Sequence, residues 1–133
     1  METNSIKDTS DFSFTSRMPF FSLIATLEKM AVESYRVDIA QQLTCYHMLN
    51  GEVMSESFHF EGEIAQDFDD GEIRSAISDL KKTHLEYKEF LKRIMNAGIT
   101  SYTIYMKGRK IIFYGRNGDS YLENFTPHKL NQY

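Results

Sequence analysis

The chain carries an echo of itself at a spacing of 67 residues. Residues 114–125 read YGRNGDSYLENF and residues 47–58 read HMLNGEVMSESF. Asn-Gly, a following acid, a Glu and a Phe recur in the same places: Asn50-Gly51, Glu52, Glu56 and Phe58, then Asn117-Gly118, Asp119, Glu123 and Phe125. The same shift sets Ser101-Tyr102 on Ser34-Tyr35 and Gly98-Ile99 on Ala31-Val32. It also sets the apolar Phe90, Leu91 and Ile94 on Leu23, Ile24 and Leu27, and Thr83 on Ser16. A cap, a helix stripe, a strand opening and a turn that recur in one register describe a structural unit rather than a ligand motif. Two pseudo-repeats are therefore expected, over about 16–58 and 83–125.

The second copy reads most clearly. Thr83-His-Leu-Glu86 has capping-box spacing, and Leu85, Phe90, Leu91 and Ile94 follow at helical intervals. Gly98 closes this helix in a left-handed conformation. Ile99–Met106 and Lys110–Tyr114 are rich in β-branched and aromatic residues and predict strands. Asn117-Gly118 predicts a type I′ hairpin turn, which needs positive φ at both central residues. Ser120–Phe125 returns as a third strand, and Pro127 ends it. Between the copies, His59–Asp70 is an acidic linker. Ile73, Ala76, Ile77 and Leu80 then give an amphipathic helix over about 70–82, with Asp69 or Asp70 as its N-cap. Residues 1–15 lack that stripe and are expected to be poorly ordered. The predicted fold class is α+β: a helix with three antiparallel strands, twice, around a connecting helix.

A chain of 133 residues, 41% of them hydrophobic, suits one domain with one core, residues 1–133. No apolar run approaches the roughly 20 residues of a membrane span, and METNSIKDTSDFSFTS lacks the apolar stretch of a secretory signal. With one cysteine, Cys45, no disulfide forms within the chain, and the expected location is cytoplasmic with no membrane association. The net charge of −4 hides an asymmetry: residues 1–80 sum to −10 and residues 81–133 to +6. Such polarity suits an anionic partner, contact between the halves, or pairing of two chains.

The stretch EFLKRIMNAGITSYTIYMKGRKIIFYGRNGDSYLENF, residues 89–125, resembles the YdfO/YbcV-like family of small bacterial and prophage proteins, a domain of unknown function sometimes labelled "phage envelope protein". The likeness rests on Glu89-Phe90-Leu91, Ala97-Gly98, Tyr102, Gly108-Arg109 and Tyr114-Gly115-Arg116-Asn117-Gly118. Tyr35-Arg-Val-Asp38 and Asn50-Gly-Glu52 extend it into the first copy. It departs at residues 1–15 and at Cys45-Tyr46-His47-Met48, where that family more often has a Tyr-Tyr-Gly run. The resemblance implies a duplicated α+β fold and brings no activity with it.

Chemistry-bearing motifs are sparse. Cys45-x-His47 and His59-x-Glu61 offer ligand types, but a structural zinc site shows tightly spaced Cys or His pairs, so no metal is expected. Cys45 and His47 share a strand face, yet no oxyanion loop accompanies them, so no catalytic residue is assigned. Gly115-Arg-Asn-Gly118 is flanked by strands, whereas the nucleic-acid-clamping version of G-x-x-G joins helices. Phosphate-loop and dinucleotide motifs are absent, and no cofactor is expected.

The candidate ligand-binding residues are Tyr102, Lys107, Arg109, Lys110, Tyr114 and Arg116, a basic hairpin interleaved with aromatics. Two functions fit. The first is a non-enzymatic accessory protein of prophage origin that acts through protein contacts, with a homodimer or an unidentified protein as its partner. The alternative is an anion or nucleic-acid binding module centred on hairpin 102–116. In the homodimer each basic hairpin (Lys107 to Arg116) would face the other chain's acidic linker (Glu61 to Asp70), held by apolar contact. Tyr35 and Tyr102 should occupy equivalent core places, with their hydroxyls reaching partners.

Overall fold

Alternating and β-branched runs pair into one antiparallel sheet in a computed structural model that describes residues 19–83 and 85–125. Its strands are β1 (Val32–Asp38), β2 (Leu43–Met48), β3 (Val53–Ser57), β4 (Ile99–Tyr105), β5 (Lys110–Gly115) and β6 (Ser120–Asn124), in the order β3-β2-β1-β4-β5-β6. Helices α1 (Phe20–Lys29), α2 (Asp70–Thr83) and α3 (Tyr87–Asn96) bury their stripes against one face. The fold is α+β, as expected. The Ser16 cap, the order of residues 1–15, His84 and Pro127 lie outside the described residues.

The two halves correspond bound for bound. α1, β1, β2 and β3 begin and end 67 residues before α3, β4, β5 and β6. Their backbones match as well: Gln42 and Arg109 both take left-handed φ, 57° and 55°, as do Ala31 and Gly98, 68° and 85°. β1 and β4 are neighbours in antiparallel register, with Asp38 opposite Ser101, Val37 opposite Tyr102, Arg36 opposite Thr103, Tyr35 opposite Ile104 and Ser34 opposite Tyr105. Arg36 thus faces its own counterpart, and a local twofold axis passes between the two. Bonds beyond the strand ends obey the same axis: Ile39 N–H donates to Thr100 O at 2.9 Å, and Met106 N–H to Glu33 O at 3.0 Å. Pro19 and Glu86, another counterpart pair, form an isolated bridge, beside which the rings of Phe20 and Tyr87 stack at 6.1 Å.

Ile73, Ala76, Ile77 and Leu80 of α2 are all buried, and Asp69 caps that helix by accepting from Glu72 N–H at 3.1 Å. Gly98 closes α3 as expected, and for a second reason too: a Cβ there would lie 2.3 Å from Asp67 O, so the linker passes directly over it.

Two local expectations are corrected. Thr83 does not open α3. It ends α2, where its hydroxyl donates back to Asp79 O at 2.7 Å, and Glu86 occupies the N-cap of α3 with no side-chain cap bond. Glu86 is held extended by its bridge to Pro19, and that pairing rather than a capping box fixes the start of the helix. The Asn-Gly turns are also not type I′, because Asn50 and Asn117 do not take positive φ. Met48 N–H donates to Glu52 O at 2.8 Å and Gly51 N–H to Met48 O at 3.0 Å. The loop therefore has three residues, with Gly51 left-handed at φ 94°. Gly115, Asp119 and Gly118 repeat the pattern, with Gly118 at φ 86°.

Candidate functional site

Strand alternation sends successive side chains to opposite faces. In β1, Tyr35 and Val37 point to the helices, and Ser34, Arg36 and Asp38 to the other side. In β4, Tyr102 and Ile104 point in, and Ser101, Thr103 and Tyr105 out. The register carries both faces across the sheet. The row through Arg36 and Thr103 continues to Cys45 and Ser55 on one side and to Ile112 on the other.

On the face away from the helices lies an open groove of about 790 Å³. It crosses the sheet diagonally, from Arg116, Tyr114 and Gly118 at one end, over Ser101 and Thr103, to Arg36, Ser34 and His47, with Tyr105 at its side. Its lining is hydroxyl-rich and aromatic, and among the described residues Glu33 is its only carboxylate.

The six candidate residues do not form one cluster. Tyr102 is fully buried on the helix side, where its hydroxyl donates to the Tyr87 hydroxyl at 2.7 Å. Lys107, Arg109 and Lys110 sit at the turn between β4 and β5, and Arg116 sits beyond the far end of β5, about 20 Å away at the usual rise per residue. Arg109 is occupied by Glu28 of α1 at 2.9 Å, an ion pair that ties the hairpin to the helix. The ammonium of Lys110 reaches Gly108 O at 3.4 Å. The structure brings together Tyr114 and Arg116 and adds residues with no local sequence signal, namely Ser34, Arg36, Ser101 and Thr103. Their one signature is that, in the two central strands, they take the positions that alternate with the helix-facing Tyr35, Val37, Tyr102 and Ile104, on the sheet face that no described element covers, although Ser101 is itself buried.

Arg116 reaches the acidic linker within its own chain. Its guanidinium donates to Ile64 O at 2.7 Å and Ala65 O at 3.4 Å. These partners are neutral carbonyls, so the charge is positioned and not cancelled. Arg36 has a looser partner, Asp38, at 3.5 Å. Cys45 and His47 share the uncovered face, and among the described residues no three His, Cys, Asp or Glu side chains converge as metal ligands.

Beneath the sheet, Tyr35 and Tyr102 occupy equivalent positions with their rings edge to face at 6.4 Å. Only one hydroxyl meets the expectation. Tyr102 finds Tyr87, but the counterpart of Tyr87 in the other half is Phe20, and the buried Tyr35 hydroxyl has no hydrogen-bond partner among the described residues. Burial pushes the Tyr87 phenol up to about 12 against a counteracting bond from Tyr102. It pushes Tyr35 and Tyr102 well above the ordinary tyrosine value, reinforced in both by the neighbouring Tyr87.

No described helix is long and apolar enough to cross a membrane. No curated protein matches the chain. Residues 12–124, spanning both halves and the linker, match the family described as Protein of unknown function (DUF1398), and the chain belongs to that family.

Proposed function

We propose that this is a non-enzymatic accessory protein that holds another macromolecule across the uncovered face of its sheet. The observation that carries the reading is the groove, which is open, polar and spread over four strands. Catalytic and small-molecule pockets are more enclosed and converge on one point. The proposal includes internal duplication of a helix-plus-three-strand unit, supported by the shared element bounds and the local twofold. It includes a cytoplasmic protein, in keeping with a single free cysteine, Cys45. The YdfO/YbcV-like resemblance adds a prophage origin.

A partner protein, or a second copy of the chain, is favoured by the exposed Leu49, Val53 and Leu122 at the two margins of the sheet. An anionic ligand is favoured by the groove interior, where Arg36, Arg116, Tyr105 and Tyr114 are the large side chains. Chemical-shift mapping with whatever co-purifies tests the common core of both readings. Perturbation centred on Ser34, Arg36, Ser101 and Thr103 is expected. A footprint confined to the helices, at Lys88 or Lys92, would sink the proposal. Light scattering tests the second copy: a mass near 15.5 kDa at tens of micromolar, unchanged by salt, removes the homodimer.

A further inference from the structure

We infer that the groove takes single-stranded nucleic acid, lying diagonally from Arg116 to His47; this rests on the uncovered face being the contact surface. The register gives the dimensions. Arg116 lies two strands from Arg36 and four residues beyond its row, and His47 lies one strand away on the other side and two residues off in the opposite direction. At ordinary strand spacing and rise the path is about 25 Å long. That suits an extended polymer, at the short end of the site sizes of sheet-based single-strand binders, about four nucleotides.

The chemistry along the path alternates as such a ligand requires. Among the described residues the Arg116 guanidinium bonds only to carbonyls, while Arg74, Arg93 and Arg109 each rest on a carboxylate at 3.3, 2.8 and 2.9 Å. Arg36 is 52% exposed, and its 3.5 Å pair with Asp38 is long enough for a phosphate to displace. Between and beside these charges lie the flat rings of Tyr114, Tyr105 and His47, which are platforms for base stacking. Ser34 and Thr103, both half-buried, line the floor with hydroxyls that can donate or accept at base edges, and the buried Ser101 lies beside them. A duplex presents its phosphates outside and its bases stacked inside, so it would leave the rings unused. An acidic peptide would satisfy the arginines and likewise leave the rings without partners.

Fluorescence anisotropy with a labelled eight-nucleotide single strand, its duplex and a poly-glutamate peptide tests the inference on the intact chain. The single strand is expected to bind most tightly. With two phosphates neutralised, a fourfold rise in salt weakens it about sevenfold. Arg36→Gln flattens that salt dependence by about half, and Tyr105→Ala or Tyr114→Ala weakens binding about 5- to 160-fold. Arg74→Ala, which removes the same charge from α2, leaves binding unchanged. Arg116→Ala also frees the linker, so the decisive variants are Arg36→Gln and Tyr105→Ala, whose side chains are exposed and whose folding a thermal melt verifies. Single-strand binding that is absent, insensitive to salt, or untouched by these variants overturns the inference. Preference for the peptide overturns it too: a footprint at Ser101 and Thr103 then keeps the sheet face as the contact surface, and a footprint elsewhere removes that reading as well.

Discussion

Arg36 of β1 lies directly opposite Thr103 of β4, its own counterpart 67 residues on. From that pairing the whole sheet follows. Each three-stranded unit taken alone would expose its seven-residue inner strand, β1 or β4, as an open row of amide and carbonyl groups. Such long edges invite uncontrolled pairing. Joining them about a twofold consumes both and places the contacting rings of Tyr35, Tyr102, Phe20 and Tyr87 beneath the seam. Among the described residues the edges that remain are the five-residue strands β3 and β6. There the repeated Glu finds its reason. Glu56 lies opposite Thr44 and Glu123 opposite Ile111, both on the helix side of the sheet. An inward charge on an edge strand penalises a further strand that would bury it.

Replacing both acids should therefore promote association. Glu56→Thr with Glu123→Thr is expected to give a concentration-dependent rise in mass by light scattering at concentrations where the parent does not change. Glu123, whose side chain is only 16% exposed, also accepts from Lys81 at 3.1 Å; loss of this partly screened pair costs on the order of 1 kcal/mol, and a thermal melt of the double variant verifies the fold. Unchanged mass in the double variant would show that the acids do not guard the edges.

The two equivalent tyrosines should respond differently to loss of the hydroxyl. Tyr102→Phe removes a buried 2.7 Å bond to Tyr87 and should destabilise by about 1–2 kcal/mol. Tyr35→Phe removes a buried hydroxyl with no partner and should be neutral or stabilising. Urea midpoints of the two variants measure the contrast, and equal losses would refute it.

Left-handed positions offer a graded series. Gly98→Ala combines φ 85° with a Cβ 2.3 Å from Asp67 O and should cost on the order of 3 kcal/mol. Gly118→Ala has similar φ and open space, so about 1 kcal/mol is expected. Ala31, the counterpart of Gly98, already carries the strain at φ 68°, and Ala31→Gly should gain up to about 1 kcal/mol. Thermal melts should rank Ala31→Gly above the parent, then Gly118→Ala, then Gly98→Ala.

What the amino-acid order shows, and what it hides, divides along the range of the interactions. The α2 stripe, the strands and the left-handed Gly98 are legible because each rests on local periodicity or a single backbone preference. The start of α3 is not, since Glu86 is set by a bridge to Pro19, distant in sequence. The turn type is missed because Asn-Gly serves both two- and three-residue loops, and the count depends on which residues the strands pair. The basic hairpin misleads because closeness in sequence is not closeness on a sheet. Alternation puts Tyr102 and Tyr114 on opposite faces, and the length of β5 separates Lys110 from Arg116. Arg36 enters the groove only once β1 and β4 are known to be neighbours.

The buried phenols set the response to alkali. In an unfolded chain tyrosine ionises near pH 10. In the folded protein Tyr87 is held protonated up to about 12, and Tyr35 and Tyr102 also ionise well above the ordinary value. A raised phenol pKa means that the unfolded state releases its proton first. The stabilisation is therefore complete below about pH 10 and is lost as pH rises through the folded values. Stability should be insensitive to these groups at neutral pH and then fall by up to about 1.4 kcal/mol per pH unit for each of the three. Tyr102→Phe removes one contribution and should flatten the decline even though it lowers stability at pH 7. The check is a set of urea midpoints from pH 8 to 11.5 together with tyrosinate absorbance, in which three phenols should titrate only as the protein unfolds. Full ionisation of every tyrosine near pH 10 with the fold intact would contradict the burial of this cluster.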